Sequence, residues 1–181
     1  MVRLEKVTGF NVWDLIDLKV SETQRDFCAA NDVSIIEAYV AITSGAAAFP
    51  FGIYVEDTPV GFLMIGYGVD DSWTDAPRIA EQNYSIWRLM IDERYQGRGY
   101  GTCALRLALD FIRGEPLGPA QYCWLSYEPN NVVARDLYRS FGFTETGEMD
   151  EGEVIAVLPL SSGAKEEEWD RYERLPTESA L

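Results

Sequence analysis

A mixed α/β fold, with a twisted central sheet flanked by helices, is predicted by three features of this 181-residue chain. The first is the apolar, β-prone run from Ser85 to Ile91. It passes through a turn holding Gly97, Gly99 and Gly101 into a stretch with Leu105, Leu109 and Ile112 near one face of a 3.6-residue period. The second is the aromatic-rich run from Gln121 to Tyr127, stopped by Pro129 and followed by a second helical stripe. The third is the order of the segments along the chain, βααβββαβαββ.

Taken in order, Val2 to Val7 reads as a strand, and Asn11 to Val20 and Val33 to Thr43 read as helical stretches. Phe51 to Glu56 and Val60 to Gly68 form a hairpin joined by Asp57-Thr58-Pro59, and the strand after it ends at Ile91. The helix of Thr102 to Ile112 and the strand of Gln121 to Tyr127 follow. Asn130 or Asn131 can cap a helix beginning at Val132. In that helix Val133, Ala134, Leu137, Tyr138 and Phe141 fall near one stripe, and Gly142 suits the position just past its end. Two final strands, Phe143 to Glu148 and Val154 to Leu160, are separated by Asp150-Glu151-Gly152.

Residues 1–160 are expected to form one domain, with 161–181 as an acidic extension: a linker, then a short helix pairing Glu167 with Arg171. Trp169, Tyr172 and Leu175 suggest docking on the body or on another subunit, with a homodimer among the expected partners. A solvated tail fits equally well.

Composition narrows the class. A hydrophobic content of 47% is ordinary for a globular protein. The longest apolar run, Ile35 to Pro50, is broken by Glu37, Thr43 and Gly45, and Met1 to Glu5 lacks a signal-peptide core, so a membrane span is not expected. Cys28, Cys103 and Cys123 are odd in number and lack CxxC spacing. They point to reduced thiols in a cytoplasm, with neither a metal site nor a disulfide framework. The net charge of −15 argues against a nucleic-acid partner and favours cationic ligands, although it also serves solubility.

The glycine turn is where chemistry is expected. Glycines permit positive φ and close backbone approach, and the first amides of the following helix have no intrahelical acceptor and lie at the positive end of its dipole, so a pyrophosphate suits the junction. A plain tight turn is the simpler alternative. The Walker lysine is absent, and a dinucleotide fingerprint matches poorly. What matches is Gln96-x-x-Gly99-x-Gly101, followed later by Asn131-x-x-Ala134-x-x-Leu137-Tyr138-x-x-x-Gly142-Phe143. Together these resemble the acetyl-coenzyme A loop and the later half of the GNAT acyltransferase superfamily.

That resemblance implies the GNAT acyl-CoA N-acyltransferase fold, in which the strand ending at Ile91 carries a bulge and splays from the strand beginning near Gln121. It implies acetyl-coenzyme A as cofactor, with coenzyme A as product, and direct transfer to a primary amine. Backbone at Leu89, Met90 and Ile91 would hold the thioester, and Gln96, Gly97, Arg98, Gly99, Tyr100, Gly101 and Thr102 the pyrophosphate, with Asn131 and Tyr138 completing the cofactor site. Tyr138, by its helical stripe a core tyrosine, becomes under the resemblance the general acid for the departing thiolate.

The chain has no histidine. The base is therefore a carboxylate, a tyrosine or a water chain. Tyr84 to Ile91 contains no acid, a departure from family members that place a glutamate there. Glu128, beside the expected splay, is the candidate, its alternative being a surface carboxylate. Cys103, near a helix N-terminus, reads as a small buried residue rather than a nucleophile.

The Trp87 to Ile91 block, the Tyr127 to Asn131 turn and the Thr146-Gly147-Glu148 to Glu153 ending are similar to the bacterial spermine and spermidine acetyltransferase-like branch. A polyamine acceptor is the expectation; Asp26, Asp32 and Glu37 on the early helices, which form the acceptor lip in the family, could supply charge, although solvated helix faces are the simpler reading of all three. Aminoglycoside and protein or peptide amines are the alternatives, as is a non-catalytic acyl-coenzyme A sensor.

Overall fold

The computed structural model describes residues 1–71 and 73–160; the expected helix within 161–181 lies outside them. Among the described residues, one sheet of seven strands carries four α-helices. The chain runs through β1 (Val2–Lys6), α1 (Val12–Ile16), a 3-10 segment (Glu22–Phe27), α2 (Asn31–Thr43), β2 (Ala47–Val55), β3 (Thr58–Tyr67) and β4 (Tyr84–Ile91). It continues through a short 3-10 turn (Glu93–Tyr95), α3 (Tyr100–Arg113), β5 (Tyr122–Tyr127), α4 (Val132–Ser140), β6 (Thr144–Asp150) and β7 (Glu153–Pro159).

The strand order is β1-β2-β3-β4-β5-β7-β6, antiparallel at every junction except β4–β5. That junction is parallel and short, pairing only Tyr84 with Cys123 and Ser85 with Trp124. Beyond it the two strands part. Opposite the gap, β4 bulges against β3: Met64 faces Arg88 and Ile65 faces Ile86, so Trp87 has no partner. A bulge breaks the alternation of side chains across a sheet. Ile86 and Leu89 therefore pack into the α3 side, while Trp87 packs against the α1 and α2 cluster and Arg88 reaches Glu37 of α2.

Two layers of helix cover the sheet. Leu105, Leu109 and Ile112 are buried as their period predicts, joined by Ala104 and Ala108, and they pack on Phe51, Ile53, Leu63 and Ile65. The other face is closed by Leu15, Leu18, Ala38 and Ala41 against Tyr54, Phe62, Met64 and Met90. Gly61 makes the β3–β4 approach feasible, since a Cβ there would lie 2.4 Å from the Met90 carbonyl oxygen. No described helix is long and apolar enough to cross a membrane.

Three expectations are corrected. The Asn11 to Val20 stretch is helical only over Val12–Ile16. Tertiary partners take its later backbone groups: Lys19 donates its N–H to Asp92 Oδ2 at 3.0 Å, and its carbonyl accepts from Glu93 N–H at 2.9 Å. Val133 is 75% exposed, because the buried stripe of α4 starts one residue later and carries Ala134, Leu137, Tyr138 and Phe141. Cys103 is exposed rather than buried.

Candidate active site

Two cavities meet along β4. Trp87 and Arg88 line the first, of about 650 Å³, and Leu89, Met90 and Ile91 line the second, of about 430 Å³. Consecutive residues of one strand thus pass from one cavity to the other at the splay.

The smaller cleft gathers most of the residues singled out from the loop motif. Gln96, Gly97, Gly99, Tyr100, Gly101 and Thr102 line it. Gly97 and Gly99 have φ of 73° and 76°, and no atom stands within 4 Å of where their Cβ atoms would be. The loop is therefore left-handed and open, and it ends on the N-terminus of the 14-residue α3, whose first amides lack intrahelical acceptors. An anionic pyrophosphate fits that chemistry.

Two side chains of the loop do something else. Gln96 Nε2 donates to Gln24 Oε1 and to the Ile91 carbonyl, both at 2.9 Å, which braces the loop to β4 and to the Glu22–Phe27 segment. Arg98 is not in the lining; it turns back to donate to the Arg94 carbonyl at 3.2 Å and stacks 5.6 Å from the Tyr95 ring centroid.

Asp92 anchors the start of the loop. It is 2% exposed and accepts from Arg94 Nε at 2.7 Å, Arg94 N–H at 3.0 Å and Lys19 N–H at 3.0 Å. Burial works to raise its pKa, but these hydrogen bonds outweigh it and hold the carboxyl below the usual range.

From the far side of the cleft, Asn131 Oδ1 accepts from Ala134 N–H at 3.2 Å and caps α4. Two turns on, Tyr138 is 8% exposed between the rings of Tyr127 and Phe143, and it lines the same cleft. Among the described residues nothing hydrogen-bonds its hydroxyl. Burial above all, then the nearby Cys28 and Glu153, push its pKa well up, so it keeps its proton. Cys28, which also lines the cleft, is likewise held as a thiol by burial, against the pull of Arg88.

The larger cavity is acidic with aromatic and aliphatic walls. Among the described residues, Glu37, Asp70, Glu128, Asp150, Glu151 and Glu153 supply six carboxylates to its lining against the single cation Arg88. Trp73, Trp87 and Trp124, with Val33, Ile36 and Val40 of α2, supply the apolar surface. Arg88 is already committed, donating to both Glu37 oxygens at 3.0 and 3.3 Å. Burial, then the charges of Glu151, Glu153 and Asp75, raise the pKa of Asp150.

The candidate base Glu128 thus lies in this larger cavity, away from Tyr138's cleft, and of the three early acids only Glu37 reaches the lining. Glu153 closes one of the segments that resemble the polyamine branch, but the sequence assigned it no role in the site. It accepts a short hydrogen bond from Ser126 Oγ, a contact between strands 27 residues apart that no local spacing signals.

The match to known proteins agrees with this geometry. Residues 13–143 match the model of the Acetyltransferase (GNAT) family. A spermine/spermidine N(1)-acetyltransferase of Bacillus subtilis (strain 168) is 32% identical over 162 residues, spanning 88% of this chain and 99% of that protein. The N-alpha-acetyltransferase RimI of Mycobacterium tuberculosis is 39% identical over 64 residues, 35% of this chain and 37% of its own. In fold, the chain is similar to aminoglycoside acetyltransferase AAC(6')-Ib solved with coenzyme A and kanamycin. The TM-score is 0.69 at 15% identity, over 96% of this chain and 99% of that one. The PaiA N-acetyltransferase of Thermoplasma acidophilum, solved with coenzyme A, gives 0.60 at 15% identity over 88% and 99%.

Proposed function

The chain belongs to the GNAT family of acetyltransferases and is an N-acetyltransferase that uses acetyl-coenzyme A; from that premise we propose that its acceptor is a polyamine such as spermidine or spermine. The observation that carries this reading is the larger cavity, where, among the described residues, six carboxylates stand among three tryptophans and one paired arginine. A polyamine is a row of ammonium groups separated by apolar spacers. Carboxylates match the charges, and indole faces match both the spacers and the cations. The relative named a spermine/spermidine N(1)-acetyltransferase, alike over most of both chains, supports the same reading.

In the reading proposed here, the open loop of Gly97 and Gly99 and the amides opening α3 receive the pyrophosphate, with Tyr100, Gly101 and Thr102 around it. The bound cofactor supplies an acetyl thioester activated toward an amine. Backbone N–H groups of Leu89, Met90 and Ile91 that face away from β3 have no β5 partner, because β5 has left the ladder, and they can donate to the thioester carbonyl oxygen as charge develops on it. Tyr138 gives its proton to the sulfur as the thiolate departs. Asn131 serves that step by capping the helix that carries Tyr138, and Gln96 by bracing the loop. The domain is residues 1–160.

The test is release of free thiol from acetyl-coenzyme A by the pure protein with spermidine, spermine, kanamycin or an alanine-terminated peptide as acceptor. Turnover on the polyamines well above the other two is the expected result. Activity confined to kanamycin or the peptide overturns the acceptor assignment.

A further inference from the structure

We propose that Glu153, held by Ser126 at the mouth of the splay, takes the proton from the acceptor ammonium. This rests on the acetyl-transfer reading of the site but not on a polyamine as acceptor.

The argument begins with what the amine requires. A primary alkylamine titrates near the lysine reference of about 10.4, so it arrives charged and must lose a proton before its nitrogen can attack. There is no histidine to receive it, and β4 offers no acid. Of the carboxylates in the acceptor cavity, Glu37 is engaged by Arg88. Asp70 accepts from the Trp73 N–H in the loop after β3, Glu128 lies past the end of β5, and Asp150, across the hairpin from Glu153, sits on β6, one strand further from β5, with Glu151 in the turn beside it.

Glu153 is placed differently. On β7 its neighbour Val154 pairs with Tyr127 and Ile155 pairs with Ser126, the last residues of β5 before the chain leaves the sheet. Trp124 packs with Ile155 and Val157 on one face of the sheet, while Leu125 and Tyr127 join the α3 and α4 core on the other. By alternation Ser126 and Glu153 share the Trp124 face, which is that of the acceptor cavity. Tyr138 comes from the opposite face. The charge of Glu153 is nevertheless felt by both Tyr138 and Cys28, which line the cofactor cleft. Glu153 is thus a carboxylate of the acceptor cavity whose field crosses the splay to the residue at the leaving group.

The step balances as follows. The acceptor ammonium gives one proton to Glu153 and keeps the electron pair. That pair forms the N–C bond, and the C–S bond breaks as Tyr138 donates its proton to sulfur. The tyrosine is reprotonated by the second proton leaving nitrogen, and Glu153 releases its own proton to solvent through the acceptor cavity.

Glu153→Gln keeps the size of the side chain and an oxygen for the Ser126 hydroxyl. With spermidine, or with kanamycin if that is the amine accepted, it should lower kcat by about 10²- to 10⁴-fold, with KM within a few-fold. The melting shift induced by acetyl-coenzyme A should persist, and Glu153→Asp should recover part of the loss. Ser126→Ala, which removes the hydroxyl and leaves the carboxylate, should lower kcat by less with KM unmoved. A Glu153→Gln protein with full kcat and only a raised KM makes Glu153 a cation-holding residue and overturns the proposal. So does full kcat in both variants. Acceptance of kanamycin but not spermidine defeats the polyamine reading alone.

Discussion

Tyr138 is a tyrosine whose surroundings forbid it to ionise: burial first, and then the charge on Glu153, oppose a phenolate. A general acid needs a proton in place when the leaving group departs, and the raised pKa of Tyr138 suits it to the proposed role. Tyr138→Phe should therefore reduce kcat by about 10²- to 10⁴-fold and leave acetyl-coenzyme A affinity within a few-fold, since the phenyl ring keeps the packing. Single-turnover measurement is the check, and full activity returns Tyr138 to the role of a core tyrosine. This residue was legible in the sequence twice over, by motif and by stripe. Glu153 was not, because its placement depends on β7 lying beside β5. Cys103 misled because it follows the loop directly and resembles the small residues of a helix interior, whereas the buried side of α3 starts at Ala104.

At the scale of the element, the strand-to-helix junction is held by Asp92, which ties the α1 exit, the short 3-10 turn and Arg94 together. Its folded pKa is depressed, so its contribution to stability is present above the unfolded value of about 3.9 and is lost as pH falls through the folded one. Asp92→Asn should cost about 1.5–3 kcal/mol near neutrality, and denaturant titrations of the two proteins should converge as the pH drops below the folded pKa. A gap that stays constant to low pH would show that charge plays no part.

Gly99 makes the second prediction at this scale. Valine at φ 76° is strained by about 1–2 kcal/mol and fills the open floor of the cleft, so Gly99→Val should lose the acetyl-coenzyme A melting shift while remaining folded. An undiminished shift in the folded variant excludes the loop from cofactor binding. Strand existence, helix order and the Asn131 cap were readable from pattern. The early helix was not, because its backbone groups are claimed by Asp92 and Glu93, over 70 positions away in the chain.

The whole molecule carries a net charge of −15, and one of its two cavities concentrates that sign. A multiply charged acceptor is drawn to such a surface more strongly than a singly charged one, and salt shortens the reach of the attraction from about 10 Å at 0.1 M to about 3 Å at 1 M. The kcat/KM for spermidine should thus fall more steeply with sodium chloride than that for n-hexylamine. Parallel slopes would mean that the acidic lining has no steering role. The splay has a consequence for dynamics. In most sheets the middle strand is the last to exchange its amide hydrogens. Here β4 is the central strand, yet toward β5 it is paired only at Tyr84 and Ser85. Its amides from Trp87 to Ile91 that face the gap should exchange with deuterium like those of an edge strand, and slow when acetyl-coenzyme A is added. The cofactor would then stand in for the length of strand that the protein leaves out of its own sheet, while the core shared through α3 holds the two halves together without it.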